Sequence, residues 1–124
     1  MPKTSRDSAG QVRDFGAGED RSERLGDYTV TFMSIRTDFD LAPVLAGLPG
    51  GQCQCPHWGY VLRGSITITY GDRKETIGAG GAFYLPPGHT PAATEGTEFV
   101  QFSPTDKLAE LEAALTSAMP GQGA

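Results

Sequence analysis

Between His57 and Phe102 glycine and proline cut the chain into short runs of strand-forming residues, and a helical period appears only after them. That punctuation is the strongest constraint on the fold. Tyr60-Val61-Leu62 is stopped by Arg63-Gly64, and Ser65 to Tyr70 is stopped by Gly71-Asp72-Arg73, a hairpin turn from which Lys74 to Ile77 returns. Gly78-Ala79-Gly80-Gly81 predicts another turn, Phe83-Tyr84-Leu85 a strand closed by Pro86-Pro87-Gly88, and Glu98 to Phe102 the last strand. Upstream, Tyr28 to Ile35 alternates, with Tyr28, Val30, Phe32 and Ser34 on one side and Thr29, Thr31, Met33 and Ile35 on the other. Asp38 to Leu48 reads as a strand and an ordered loop, because Pro43 argues against a regular helix, and Leu48-Pro49-Gly50-Gly51 reads as a turn.

Leu108, Leu111 and Leu115, with Ala114 and Ala118 nearby, mark one face of an amphipathic helix expected over 104–119. Ser103 is placed to cap it, Pro104 suits its first turn, Asp106 completes a capping box and Pro120 ends it ahead of a disordered tail. Many short antiparallel strands and one terminal helix in 124 residues predict a single all-β domain, a sandwich or barrel, over 25–120. Residues 1–24 are polar and read as a flexible arm, with a short strand around Val12 to Phe15 and no signal peptide.

Charge and composition exclude several functions. Ten basic residues against fifteen acidic ones give a net charge of −5, which argues against nucleic acid or an anionic membrane surface as partner. No apolar run is long enough to span a bilayer. The Gly78–Gly81 run lacks the strand-to-helix setting of a phosphate loop, and no nucleophile elbow supports a hydrolase triad.

The chemistry gathers in two stretches. Both histidines of the chain, His57 and His89, stand beside strand ends, and both cysteines, Cys53 and Cys55, precede the first of them. Cysteines one residue apart cannot close an unstrained disulfide, so reduced thiols in a cytoplasmic protein are expected. Imidazole and thiolate donors at two strand ends suit a divalent ion: zinc first, with iron or nickel as alternatives. Cys53, His57 and His89 are the expected ligands and would leave one position open, whereas Cys55, the lesser candidate, would close the shell. Each of these residues taken singly is more ordinarily a packing or capping residue. By alternation from His57, Gly59 and Val61 point inward and Trp58 and Tyr60 outward, Phe99 and Gln101 share a face that could line a cavity, and Gly59 and Gly64 serve backbone geometry.

The two stretches resemble the motifs of the cupin superfamily, small jelly-roll β-barrels. Tyr60-Val61-Leu62-Arg63-Gly64 matches the end of the first motif, and Gly80 to Leu85 followed by Pro86-Pro87-Gly88 matches the second, over residues 27–103. Aligned on Tyr60, the family's His-x-His pair falls at Gly51 and Cys53, its Glu at His57, and its last histidine at Pro91, two residues after His89. The chain is more similar to a subset with Cys-x-x-Pro-His before the first strand and Pro-Pro-Gly-His after the second. The resemblance implies a cupin-type jelly roll with one C-terminal helix. It also implies a metal site that binds, and in enzymes of the oxygenase, isomerase or cyclase type transforms, a small molecule. The alternative is a ligand-binding or sensor module with a structural metal or none. A homodimer is expected as well, because the strand face carrying Trp58, Tyr60 and Leu62 needs cover.

Overall fold

A computed structural model describes residues 2–46, 48 and 51–118. Ten strands form two antiparallel sheets. The six-stranded sheet runs β1 (Gln11–Asp14), β2 (Gly18–Leu25), β3 (Tyr28–Ile35), β10 (Glu98–Pro104), β5 (His57–Arg63), β8 (Ala82–Leu85); the four-stranded sheet runs β4 (Phe39–Asp40), β9 (Thr90–Ala93), β6 (Ser65–Tyr70), β7 (Arg73–Gly78). The expected all-β sandwich with a C-terminal helix, α2 (Thr105–Ala118), is what forms, with one added helical turn, α1 (Ala42–Leu45). Among the described residues no helix is long and apolar enough to cross a membrane.

The core follows from the alternation. On β5, His57 and Val61 are buried while Trp58, Tyr60 and Leu62 are exposed. Val61 joins Ile66, Ile68, Phe83 and Leu85 in the main apolar cluster between the sheets, with Phe99 and Ile77 packed against it. A second cluster of Leu45, Cys53 and Cys55 closes one end, covered by Leu108 and Leu111 of α2. The helical stripe therefore does what its spacing predicts at those two positions. Gly59 is fixed by close approach, since a Cβ there would run into the Phe83 ring and the Val100 carbonyl. Gly59→Ala is expected to cost about 3 kcal/mol in urea denaturation, because a backbone oxygen cannot move aside as a side chain can. A cost under about 1 kcal/mol would show that the two sheet neighbours yield.

Four expectations need correction. Residues 1–24 are not a flexible arm throughout: β1 and most of β2 lie within them. The short strand expected around Val12 to Phe15 forms as β1, whereas β2 went unread because it buries mainly the small Gly18 and the ion-paired Asp20. Pro43 does not prevent helix, because it stands at the start of α1, where its missing N–H costs no bond. Strand β9 went unread because Pro91 occupies it, next to a short edge strand where the ladder tolerates proline. Ser103 and Pro104 belong to β10, so Ser103 does not cap α2. Around Leu48 the turn is closed by the Gly51 N–H on the Leu48 carbonyl, while Pro49 and Gly50, the Leu115 side chain, Pro120 and the tail lie outside the described residues.

Candidate metal centre

Two local features bring the distant residues together. Pro86-Pro87-Gly88 ends β8 and reverses the chain, with Gly88 at φ +98°, a backbone shape that side chains other than glycine's rarely allow. His89 then faces Cys53 across an isolated antiparallel bridge, in which the Cys53 N–H donates to the His89 carbonyl at 2.8 Å. Residues opposed in this way put their side chains on one face. His57, the first residue of β5, brings its ring alongside, with the two imidazole centroids 5.2 Å apart. One donor atom from each of Cys53, His57 and His89 lies within 4.8 Å of the others. The expected trio is thus one cluster, and all three residues are buried. Such a cluster could hold a metal ion.

Cys55 is buried but stands outside this trio, its Sγ 3.6 Å from the Pro56 carbonyl. Pro56 breaks the extended run that would have put positions 53, 55 and 57 on one face. Both thiols are free, as the spacing required.

The hydrogen bonds determine which nitrogen can act as a ligand. The Pro86 carbonyl can only accept, so the 2.7 Å contact with His89 fixes the proton on Nδ1 and leaves the lone pair on Nε2. That Nε2 is buried and has no hydrogen-bond partner. His57 Nδ1 lies 2.6 Å from the Ser103 hydroxyl. His57 Nε2, the other ring nitrogen, lies 3.8 Å from Cys53 Sγ. With Ser103 accepting from His57 Nδ1–H, Nε2 is the nitrogen left to a ligand. Imidazole ligands are commonly oriented by such a bond to the other ring nitrogen.

Ser103 is the site residue that sequence reasoning missed. Extending the alternation of Phe99 and Gln101 by one step would have turned it inward. Its capping-box neighbours suggested another role. Phe99 packs into the core.

Burial sets the protonation. It drives His57 down from 6.5 to about 3, with the neighbouring His89 adding to the shift, and it lowers His89 against the opposing pull of the Pro86 carbonyl. Both rings are therefore neutral near pH 7, the form that binds metal. Burial raises the Cys53 thiol, and pushes Cys55 up to about 12 with help from the Cys53 charge. Neither thiol is then a free nucleophile. A cation binding at Cys53 must displace a proton.

This arrangement is found on a recognised scaffold. Solved structures of cupin fold are similar to it, among them a variant of oxalate decarboxylase from Bacillus subtilis (TM-score 0.61, 17% identity, 82% of this chain) and a cupin-2 domain protein from Shewanella frigidimarina (TM-score 0.50, 20% identity, 68% of this chain and 78% of that one). A protein of unknown function from Rhizobium leguminosarum is also similar, with TM-score 0.61 and 21% identity over 83% of this chain and 95% of that one. The chain spans only 28% of the oxalate decarboxylase. At these identities the likeness is one of fold, and the fold is that of the cupins. No protein-family model and no curated protein matches the sequence.

Proposed function

We propose that this chain is a metal-holding cupin in which Cys53 Sγ, His57 Nε2 and His89 Nε2 ligate one divalent ion, zinc in preference to iron or nickel. The observation that carries this reading is the orphaned Nε2 of His89. A buried acceptor without a partner costs about 1–3 kcal/mol, and a cation between it and the two neighbouring donors removes that cost. A thiolate and two imidazoles are the donor set of zinc, and three protein ligands leave a position for water or a small molecule. An ion so held supplies Lewis acidity to whatever occupies that position. The likeness to oxalate decarboxylase is carried by fold alone, and oxalate chemistry is not part of the proposal.

A second reading, a closed structural or sensor site, is favoured by the burial of all three donors and by the apolar cluster of Leu45, Cys53 and Cys55. Metal analysis of untagged protein tests the proposal and separates the two readings. About one zinc per chain is expected. In the cobalt-substituted protein, a thiolate-to-cobalt band that shifts on adding azide marks an open position. An azide-insensitive band marks a closed shell. Protein that takes up no divalent ion even on titration would remove both.

A further inference from the structure

The three donors are sealed from solvent, with His89 at 0%, Cys53 at 2% and His57 at 5% exposure, so nothing reaches an open coordination position unless part of the fold moves. Two helices roof the cysteine side. Leu41, Leu45 and Leu48 come from α1 and its flanks, and Leu108 and Leu111 from α2. The α1 side is held by its backbone. The Leu41 N–H donates to the Pro91 carbonyl at 3.1 Å, Leu45 is fully buried, and successive turn bonds run through Leu48 and Gly51 towards the Cys53–His89 bridge. Moving α1 would pull on the pairing that brings the donors together. Helix α2 is held differently. Its first residue is anchored twice: the Thr105 N–H donates to the Asp27 carbonyl at 2.9 Å, and the hydroxyls of Thr105 and Thr29 meet at 2.9 Å. Beyond it no residue from 106 to 114 is buried, Leu108 and Leu111 included. Arg13 and Glu112 pair at 3.9 Å between two exposed side chains, a contact of small weight. Along the flank of the helix a groove of about 240 Å³ lies between Ser22, Thr29, Leu108 and Ala109. An element with so little buried apolar surface opens more readily than the core.

We propose that α2 is the gate of the buried donor cluster. It turns about Thr105 and lifts Leu108 and Leu111 off Leu45, Cys53 and Cys55, while both sheets stay paired. The hinge falls at an element end, where a change of backbone angles disturbs least. Ser103 and Pro104 belong to β10 and pair with Thr29 and Tyr28, so the hydrogen bond that orients His57 survives the opening. Asp106, Lys107 and Glu110 are exposed in the closed position and stay in water in the open one. The main cluster of Val61, Ile66, Ile68, Phe83 and Leu85 takes no residue from α2, so the barrel need not loosen. The part this gate plays in ligand exchange rests on the metal-holding reading. The opening itself does not, because the thiols of Cys53 and Cys55 report it without metal.

The test labels the reduced, metal-free full chain with an aromatic disulfide reagent over a series of urea concentrations below the unfolding midpoint. Thiols behind a local gate should label at a rate nearly level in urea, and in its absence at least about tenfold faster than unfolding of the whole chain allows. Leu108→Ala and Leu111→Ala should each raise that rate about tenfold, since each removes apolar contact made only in the closed position. Val61→Ala, in the main cluster, should lower the urea midpoint and leave the rate in low urea unchanged. In zinc-loaded protein, release to a chelator should quicken by a similar factor in the two leucine variants. Wild-type labelling that climbs with urea at the full slope of global unfolding would overturn the gate, and this measurement needs no variant. So would a rate that answers to Val61→Ala as strongly as to Leu111→Ala. Gate and metal fail separately. Gated thiols in a chain that takes up no zinc would remove the metal and keep the gate, whereas a chain that binds zinc but labels only on global unfolding would do the reverse.

Discussion

His89→Ala is expected to abolish the thermal stabilisation that zinc gives the wild-type protein, while moving the metal-free melting temperature comparatively little. Two effects of opposite sign operate in the metal-free chain. Truncating a fully buried side chain leaves a cavity and removes the Nδ1–H bond to Pro86, which destabilises. The same change deletes an unpartnered buried nitrogen, whose desolvation costs about 1–3 kcal/mol, which stabilises. With zinc the balance is one-sided. Saturating the wild-type site at about a thousand times Kd adds roughly 4 kcal/mol. Loss of one of three ligands should lower affinity by more than the ten- to hundredfold typical of groups that only orient a ligand. Calorimetry with and without zinc, paired with metal analysis, reads both quantities. A wild-type melting temperature indifferent to zinc would defeat the metal assignment. So would a His89→Ala protein that still binds zinc as tightly as the parent.

Acid is the second large lever, and its sign follows from the histidines. In the unfolded chain His57 takes a proton near its ordinary 6.5, whereas in the fold burial holds it neutral down to about 3. The unfolded state therefore binds more protons throughout that window, and metal-free stability falls as pH drops. It is fully present above about pH 6.5 and is lost as pH falls from there towards the folded value. The slope is about 1.4 kcal/mol per pH unit, so His57 alone removes roughly 3 kcal/mol by about pH 4. His89, shifted the same way, adds to the loss. Against a total of about 5–15 kcal/mol, this should lower the urea midpoint by roughly a fifth or more in mild acid. His57→Gln should flatten the profile between about pH 6.5 and 4, even if it lowers stability at neutral pH. A wild-type urea midpoint that is level across that range would show that the buried rings find compensation on protonation. Zinc should steepen the same profile, since protons compete for the Cys53 sulfur and both ring nitrogens.

The chain's strands were legible where side chains alternate against one buried face, as from Tyr28 to Ile35 and from His57 to Tyr70. They were illegible where a strand buries small and charged groups. Gly18 to Leu25 buries chiefly Gly18 and Asp20, the latter paired with Arg13 at 2.9 Å. No periodicity announces a strand of that kind. Pro43 and Pro91 misled for a related reason: a proline excludes regular structure only where its N–H is needed, and need is set by neighbours the local sequence does not name.

The candidate centre divides along the same line. Residue type and spacing alone placed Cys53, His57 and His89 at two strand ends, ruled out a disulfide between Cys53 and Cys55, and set Trp58, Tyr60 and Leu62 on the face away from His57, because these are matters of reach and of a two-residue period. Only the folded chain could decide that Cys53 and His89 oppose each other across a bridge, that Cys55 turns aside at Pro56, and that Ser103 holds His57 rather than capping a helix. The proton on His89 Nδ1 and the unpartnered lone pair on its Nε2 belong to the fold as well. Local sequence fixes which way a side chain leaves its own strand. Distances between donors drawn from separate strands arise when the sheets close, and the desolvation that keeps the rings neutral exists only in the packed interior.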